Sequence, residues 1–229
     1  MNNKRIIARL DIKLNDLIKG VRMEGWRKLG DPIDFANHYY KSHIDEIILL
    51  DVVASLYERN NLRDIVASIS ENIHIPICVG GGIRSKDDVS ELLKVGADKV
   101  TLNTAVTKNP ILIKEISDTF GSQATVVCLE CKKNHSDSGY ELLTDNGRNK
   151  TGIEPAEWAT KAQELGAGEI YLVSIDQDGT AQGCDLNLLK DISARLDIPV
   201  IGGGGVGSIR HVEEAFNESQ IQAISIGYA

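Results

Sequence analysis

Residues 75–83 read IPICVGGGI, and residues 198–206 read IPVIGGGGV. In both stretches an apolar, partly β-branched run ends in consecutive glycines, and a serine, Ser85 or Ser208, follows the glycines closely. A strand, a glycine turn and a helix start together are typical of phosphate binding, because glycine lets the backbone approach closely and the free N–H groups of a helix start attract an anion. The repetition supports this interpretation more strongly than either copy would alone.

The sequence around these stretches repeats as well. EIILLD at 46–51 resembles EIYLVSID at 169–176, RIIARLD at 5–11 resembles ATVVCLE at 124–130, and KVTLN at 99–103 resembles AISIG at 223–227. Repeats of this kind indicate two copies of one structural unit. We therefore expect a single domain over residues 1–229, with half-repeats at about 1–121 and 122–229.

Predicted strands alternate with predicted helices throughout the chain, and the strands are nearly continuous apolar runs. Such strands are typical of a parallel sheet covered by helices. We predict a (βα)8 TIM barrel, with a doubly wound open sheet as the alternative. Asp31, Asn109 and Asp185 are predicted to cap helices, residues 12–30 to form a polar loop, and Ser138-Gly139 to mark a hairpin. The last strand, at 223–227, nearly ends the sequence, so we expect that the eighth helix is missing by truncation.

The composition of the chain argues against several classes of partner and ligand. The formal net charge of −8 argues against a nucleic-acid or anionic-membrane partner. No apolar run has the length of a membrane span, and the N-terminus has no signal-peptide layout, so we expect a cytoplasmic protein. Cys128 and Cys131 would face opposite sides of a strand, and the histidines show no ligand spacing. We expect no metal and no cofactor.

The polar residues at the predicted strand ends suggest a site. In barrels of this class, chemistry lies at the carboxyl ends of the strands. One aspartate there is most often a cap, but Asp11 and Glu130 end equivalent strands of the two halves, which suggests an acid/base pair across the mouth. The glycine turns suit an elongated substrate with a phosphate at each end. The candidate phosphate-binding residues are Gly81, Gly82, Asn103, Thr104, Asp178, Gly179, Gly203, Gly204 and Gly227.

A second group of charges lies at the opposite ends of the strands. Arg5, Glu46, Lys99 and Glu169 each begin a predicted strand. They could pair as a ring at the bottom of the barrel, or they could be separate surface charges. The pattern alone leaves both interpretations open.

The chain resembles the cyclase subunit of imidazole glycerol phosphate synthase over essentially its whole length. The matching motifs are residues 4–8 (KRIIA), 10–11 (LD), 79–83 (VGGGI), 96–100 (GADKV), 120–124 (FGSQA), 166–170 (GAGEI) and 174–180 (SIDQDGT). The resemblance implies that a glutaminase subunit docks on the bottom face and that ammonia passes through the barrel. At the top, ammonia would react with a bis-phosphate ribulosyl substrate, giving imidazole glycerol phosphate and the carboxamide nucleotide AICAR.

The resemblance also implies residue roles. Asp11 and Glu130 would be the general acid and base. Arg5, Glu46, Lys99 and Glu169 would form the ammonia gate. Asp98 would face the partner subunit, and Lys19 matches a lysine of a mobile first loop.

Three residues depart from the family pattern. Glu130 stands where an aspartate is usual, Val53 where a threonine is usual, and Arg9 where a small residue is usual. Arg9 is two positions from Asp11, so it shares the inward face. A buried guanidinium needs an anionic partner, and we expect Asp11 or Glu130 to be that partner, with a lowered pKa.

Together with residues 53–57 (VASLY) and 144–148 (TDNGR), Arg9 and Glu130 resemble a paralogous branch associated with amidation of N-acetylated sugars in surface polysaccharides. There the barrel would supply ammonia to a separate enzyme, and this is the function that we expect first. The alternatives are an authentic cyclase of histidine biosynthesis, the sister aminoaldose isomerase, which needs no gate, and a non-catalytic scaffold that activates its glutaminase.

Overall fold

The computed structural model describes residues 4–54, 62–134 and 139–227. Its strands are β1 (Arg5–Lys13), β2 (Asp16–Val21), β3 (Glu24–Gly30), β4 (Glu46–Asp51), β5 (Ile77–Gly80), β6 (Lys99–Leu102), β7 (Thr125–Lys133), β8 (Tyr140–Thr144), β9 (Asn149–Lys150), β10 (Glu169–Ser174), β11 (Val200–Gly203) and β12 (Ala223–Ile226). Eight of them are parallel, in the order β1, β4, β5, β6, β7, β10, β11 and β12, and β12 pairs with β1. The sheet is therefore closed, which confirms the TIM barrel and excludes the open sheet.

Helices cover the outside of this barrel. In the described ranges they are α1 (Pro32–Lys41), α2 (Leu62–Ser70), α3 (Lys86–Lys94), α4 (Thr104–Lys108), α5 (Ile111–Phe120), α6 (Pro155–Glu164), α7 (Leu186–Ser193) and α8 (Ile209–Glu218). Their apolar faces and the outward-facing strand residues form the larger core. The alternation along β7 separates the two cysteines as predicted, since Cys131 belongs to this outer core and Cys128 to the barrel interior.

Two of the three predicted caps are present. Asp31 accepts a hydrogen bond from Ile33 N at 2.7 Å, and Asp185 accepts one from Leu188 N at 3.3 Å. Ser85 caps α3 reciprocally with Asp88. The prediction for Asn109 was wrong, because its side chain makes no cap and α5 begins after Pro110. The short helix α4 takes up the chain between β6 and α5, so α5 needs no polar cap at Asn109.

Two β-hairpins extend the sheet above the barrel. The segment predicted as a polar loop forms the antiparallel hairpin β2–β3, which pairs with β1. Its turn residues Arg22 and Met23 both have left-handed backbone angles, at φ 54° and 61°. A tight hairpin turn normally has glycine or asparagine at such positions, which explains why the sequence does not suggest it. The second hairpin, β8–β9, follows β7 as predicted; Ser138 lies outside the described residues, and Gly139 has φ 74°.

The barrel interior is filled by side chains. It is mainly apolar, with Ile7, Ile48, Val126 and Ile201 fully buried. Tyr171 is also fully buried there, and its hydroxyl lies 2.9 Å from Ser225 Oγ. This side-chain layer separates the two ends of the barrel.

Two sequence predictions are not addressed by these elements. The last described residue, Gly227, follows β12 directly, so the expected absence of an eighth barrel helix concerns a part of the chain outside the described residues. The half-repeats also stay a prediction. Across the described ranges, no helix has both the length and the apolar character needed to span a bilayer.

Candidate active site at the mouth of the barrel

A cavity of about 390 Å³ opens at the carboxyl ends of β4, β5, β6 and β7. It is lined by the predicted residues Gly81, Gly82, Asn103, Thr104 and Glu130, together with Asp51 and Asn146. Three buried polar atoms in its wall have no hydrogen-bond partner among the described residues: Thr101 Oγ1, Asn103 Oδ1 and Asn146 Nδ2. Because buried polar groups are normally paired, these atoms indicate that the cavity receives a polar ligand.

The glycine turn after β5 is held tightly against β4. Gly81 has φ +106°, and a Cβ added to it would lie 2.3 Å from the carbonyl oxygen of Asp51. Only glycine fits there, and the turn therefore brings bare backbone to the cavity wall. On the next strand, the Thr104 hydroxyl accepts a hydrogen bond from Asp145 N at 3.0 Å and still has its own proton to donate.

Glu130 lies at the end of β7, between the cavity and the hairpin β8–β9. Its Oε2 accepts a hydrogen bond from Gly147 N at 2.8 Å. Burial of the carboxyl group raises the pKa of Glu130 to about 7, and the charges of Asp145 and Asp11 contribute, against the lowering effects of the Gly147 hydrogen bond and of Arg9. The group can therefore hold or release a proton near neutral pH.

Asp11 has the opposite electrostatic environment. Arg9, buried inside the barrel, places its Nε 2.7 Å from Asp11 Oδ1, which confirms the predicted pairing. Burial alone would raise the pKa of Asp11, but the charges of Arg9 and Lys19 outweigh it and lower that pKa. For Arg9, burial favours the neutral form, yet Asp11, Tyr171 and Asp178 raise the pKa of the guanidinium well above its usual value. Asp11 is therefore ionised and Arg9 is charged.

The other half of the mouth is almost filled by this ion cluster. Lys19 Nζ lies 3.7 Å from Asp11 Oδ2 and 3.5 Å from Asp178 Oδ1, and Arg9 Nη1 lies 3.3 Å from Asp178 Oδ1. The remaining cavity beside Gly179, Gly204 and Gly227 measures only about 30 Å³. The ion cluster therefore leaves little open space in this half of the mouth.

Two predicted phosphate-binding residues have other surroundings. Asp178 carries a carboxylate that pairs with Arg9 and Lys19, and it would repel a phosphate rather than bind it. Gly203 lies within β11, where an added Cβ would be 2.6 Å from Ser225 Oγ and 3.0 Å from Tyr171 Cε2. Gly203 is therefore required by the packing around the Tyr171–Ser225 contact, whereas Gly204 and Gly205 line the small cavity.

The charges at the opposite end form a closed ring. Arg5 pairs with Glu46 at 2.5 Å and also with Glu169, and Lys99 Nζ lies 3.0 Å from both Glu46 Oε1 and Glu169 Oε2. Burial raises the pKa of Glu46, and the charge of Glu169 adds to this effect while Lys99 opposes it. The four charges therefore form a ring and are not separate surface charges. Asp98 is exposed at the same end and accepts a hydrogen bond from Ile77 N at 2.9 Å.

Comparison with known proteins adds the family. The family model described as "Histidine biosynthesis protein" matches residues 5–229. The proteins named "Imidazole glycerol phosphate synthase subunit HisF" from Legionella pneumophila, Alkaliphilus metalliredigens and Thermococcus onnurineus are 52%, 44% and 46% identical to this chain. The alignments cover 95%, 97% and 93% of this chain, and 100%, 88% and 84% of those relatives.

The chain belongs to the HisF family. Its similarity to the cyclase subunit, predicted from the sequence, is thereby confirmed. These relatives do not distinguish the polysaccharide-associated branch from the rest of the HisF family, since all three carry the synthase name.

Some contacts at the mouth of the barrel were not predicted from the sequence. Residues 144–148 form one of the motifs described above, but that motif does not predict that Gly147 N donates a hydrogen bond to Glu130. In the sequence Tyr171 is one residue of an apolar strand, and nothing there predicts its contact with Ser225. Val53 is buried, and its N–H donates to Asp51 Oδ1 at 3.0 Å, while residues 55–57 of the same motif lie outside the described residues.

Proposed function

We propose that this HisF-family barrel is the ammonia-using subunit of a two-component glutamine amidotransferase and closes the imidazole ring of imidazole glycerol phosphate. The observation that carries the proposal is the contrast between two acidic groups at one mouth. The pKa of Asp11 is lowered, and that of Glu130 is raised to about 7. Environments that push two pKa values apart are typical of acid/base pairs.

In this proposal each acidic group has a separate task. Asp11 stays ionised and accepts a proton from the attacking nitrogen. Glu130 holds a proton near neutral pH and donates it to the leaving group. The cavity at Gly81, Gly82, Asn103 and Thr104 receives one phosphate of the substrate, and Lys19 moves away to admit the other beside Gly179, Gly204 and Gly227.

The bottom face of the barrel is the proposed docking surface for a partner subunit. The relatives are named as a subunit of a synthase, and we propose that a glutaminase docks beside Asp98 and the ionic ring of Arg5, Glu46, Lys99 and Glu169. The ring would then act as the gate through which ammonia enters the barrel. Co-purification with a glutaminase subunit tests this, with Asp98→Lys expected to weaken the complex and Asp118→Lys, an exposed aspartate of α5, as the matched control.

A second candidate is supply of ammonia for amidation of an N-acetyl sugar in polysaccharide synthesis. Two observations favour it. Arg9 occupies the mouth and pairs with Asp11, and only about 30 Å³ remains where a second phosphate would bind. A base engaged with a buried guanidinium is a weaker proton acceptor.

Cyclase turnover distinguishes the two candidates. The test supplies the bis-phosphate ribulosyl substrate and saturating ammonium to the barrel. Turnover on the order of 1 per second or more is ordinary for an enzyme and would support the cyclase. Asp11→Asn should then abolish it, because an amide cannot act as a base. If the natural protein is inactive while the double variant Arg9→Cys with Glu130→Asp gains activity, the sugar-amidation candidate is favoured. If neither protein is active but the barrel raises glutamine hydrolysis by its partner, the barrel acts as a scaffold.

A further inference from the structure

The two hairpins above the barrel enclose a second cleft of about 540 Å³. We name it the hairpin cleft. One wall is the β2–β3 turn, and the other is the turn between β8 and β9 together with the end of β7. The described residues that line it are Arg22, Met23, Glu24, Gly25, Trp26, Lys132, Leu143, Asn146, Gly147, Arg148, Lys150 and Ile175.

The charge of this cleft contrasts with that of the whole chain. Its described lining carries four cationic side chains, Arg22, Lys132, Arg148 and Lys150, and one acidic side chain, Glu24. The chain as a whole has a formal net charge of −8. A concave surface lined mainly by one sign of charge focuses the field and concentrates counter-ions. The hairpin cleft therefore attracts an anion locally.

The floor of the cleft is apolar. Met23, Leu143 and Ile175 are buried there and belong to the inner core of the barrel. Trp26 forms part of the wall, with Lys13 Nζ and Arg148 Cζ each 5.1 Å from its ring centroid. A cationic rim around an apolar floor and an indole fits a ligand with a charged group on a ring, since the ring contacts the floor and the charge contacts the rim.

The cleft is connected to the mouth through one turn. Asn146 lines both cavities, and its Nδ2 is buried without a hydrogen-bond partner among the described residues. The next residue, Gly147, donates its N–H to Glu130. Among the described residues, Asn146 Nδ2 is therefore an unpaired donor at the wall between the two cavities, and a ligand in the hairpin cleft would contact the turn that holds the acid.

We propose that the hairpin cleft binds a phosphorylated sugar, free or linked to a nucleotide, as a site separate from the mouth. The cyclase reaction needs no such ligand, so the inference goes beyond the proposed function. The phosphate lies against Lys132, Arg148 and Lys150. The sugar ring lies over Met23 and Trp26, and a sugar oxygen accepts from Asn146 Nδ2.

Binding to the whole chain tests this. Inorganic phosphate, glucose 1-phosphate and a uridine diphosphate-linked N-acetyl sugar are titrated, with tryptophan fluorescence and calorimetry as readouts. We expect both sugar ligands to bind more tightly than inorganic phosphate and to change the emission, and Trp26→Phe to remove that change. Lys132→Gln with Lys150→Gln should weaken binding about five- to tenfold, or about 1–1.4 kcal/mol in total, because both charges are exposed.

Two control variants distinguish binding in the hairpin cleft from general charge attraction and from binding at the mouth. Lys41→Gln with Lys94→Gln removes the same charge from exposed helix ends and should change the affinity less than twofold. Asn103→Ala alters the mouth and should leave cleft binding unchanged. The proposal is overturned if neither sugar ligand binds, if inorganic phosphate binds as tightly as they do, if both lysine pairs act equally, or if Asn103→Ala abolishes binding.

Discussion

At the scale of single residues, the mouth combines two acids in different protonation states. Asp11 is kept ionised by Arg9 and Lys19, while Glu130 has only a backbone N–H from Gly147 as its hydrogen-bond donor among the described residues. Nearby positive charge lowers a carboxyl pKa and burial raises it. The neighbours of each group therefore determine its protonation state.

The raised pKa of Glu130 has a consequence for stability. Its pKa is about 7 in the folded protein, against an ordinary value of 4.5, so folding favours the protonated form. The stabilisation is fully present below pH 4.5 and is lost as pH rises to about 7. We expect the free energy of unfolding of the natural protein, relative to Glu130→Gln, to fall by about 3 kcal/mol between pH 4.5 and pH 8. Urea unfolding at the two pH values measures it, and an unchanged difference would contradict the assignment.

Arg9 should be the most sensitive position of the mouth. Arg9→Met leaves Asp11 and Asp178 with Lys19 as their only cation among the described residues. Because one partner of a buried pair is removed, we expect a loss of about 3 kcal/mol at pH 7, measured by urea unfolding. The pKa of Asp11 is lowered in the natural protein, so this loss should shrink as pH falls below the ordinary value of 3.8.

The control for Arg9 is Asp11→Asn, alone and combined with Arg9→Met. In the combined variant the unpaired charge at position 11 is gone, so its stability should exceed that expected from adding the two single losses. Additive losses would show that Arg9 acts through packing rather than through its charge.

At the scale of elements, the hairpin β2–β3 is attached to the barrel through the loop after β10. Arg22 N donates to Asp178 O at 2.7 Å, and Gly179 has φ +71° with its Cβ position 2.2 Å from Gly20 O. The hairpin also carries Lys19 into the ion cluster. Its attachment therefore controls access to the small cavity.

A methyl group at Gly179 should detach this hairpin. Gly179→Ala adds both a left-handed backbone penalty and a clash with Gly20, so we expect a loss of about 2–3 kcal/mol and faster amide exchange at Arg22. Gly25→Ala is the matched control, since Gly25 has φ +63° and nothing within 4 Å of its Cβ position. That variant should lose only about 1 kcal/mol. Equal effects would mean that the contact with Gly20 does not contribute to stability.

The elements that the sequence predicted are those with local signals. Alternating strands and helices, and caps such as Asp31 and Asp185, depend on neighbouring residues. The hairpin β2–β3 was missed because its turn uses Arg22 and Met23 in left-handed conformations. At the site, the sequence predicted that Arg9 pairs with Asp11 or Glu130, and the structure shows Asp11. The contacts of Asp178 with Arg9 and Lys19 join distant segments and become visible only once the barrel is closed.

At the scale of the whole molecule, the ionic ring joins four strands of the barrel. Arg5, Glu46, Lys99 and Glu169 lie on β1, β4, β6 and β10. Glu169→Gln leaves two cations with one carboxylate, and we expect the free energy of unfolding to fall by about 1–3 kcal/mol, because the pairs are mostly buried. Asp16→Asn breaks the exposed pair with Lys28 and should lose at most about 0.5 kcal/mol.

The effect of salt concentration on stability tests this comparison of the ring with the exposed pair. The Asp16–Lys28 pair is screened by ions, whereas the ring is largely shielded from solvent. The loss caused by Glu169→Gln should therefore persist at about 1 M salt, measured by urea unfolding, and that of Asp16→Asn should vanish. A ring contribution that disappears in salt would show that the four charges act as separate surface groups.

The side chain of Tyr171 obstructs the interior of the barrel. Its phenol ring is fully buried in the barrel interior, and its hydroxyl lies 2.9 Å from Ser225 Oγ. If ammonia crosses from the ring to the mouth, as proposed, the hydrogen bond between Tyr171 and Ser225 must first break, which costs about 1–3 kcal/mol for a buried hydrogen bond. If ammonia crosses the barrel as proposed, brief movements of this one side chain would then set the rate of its transit.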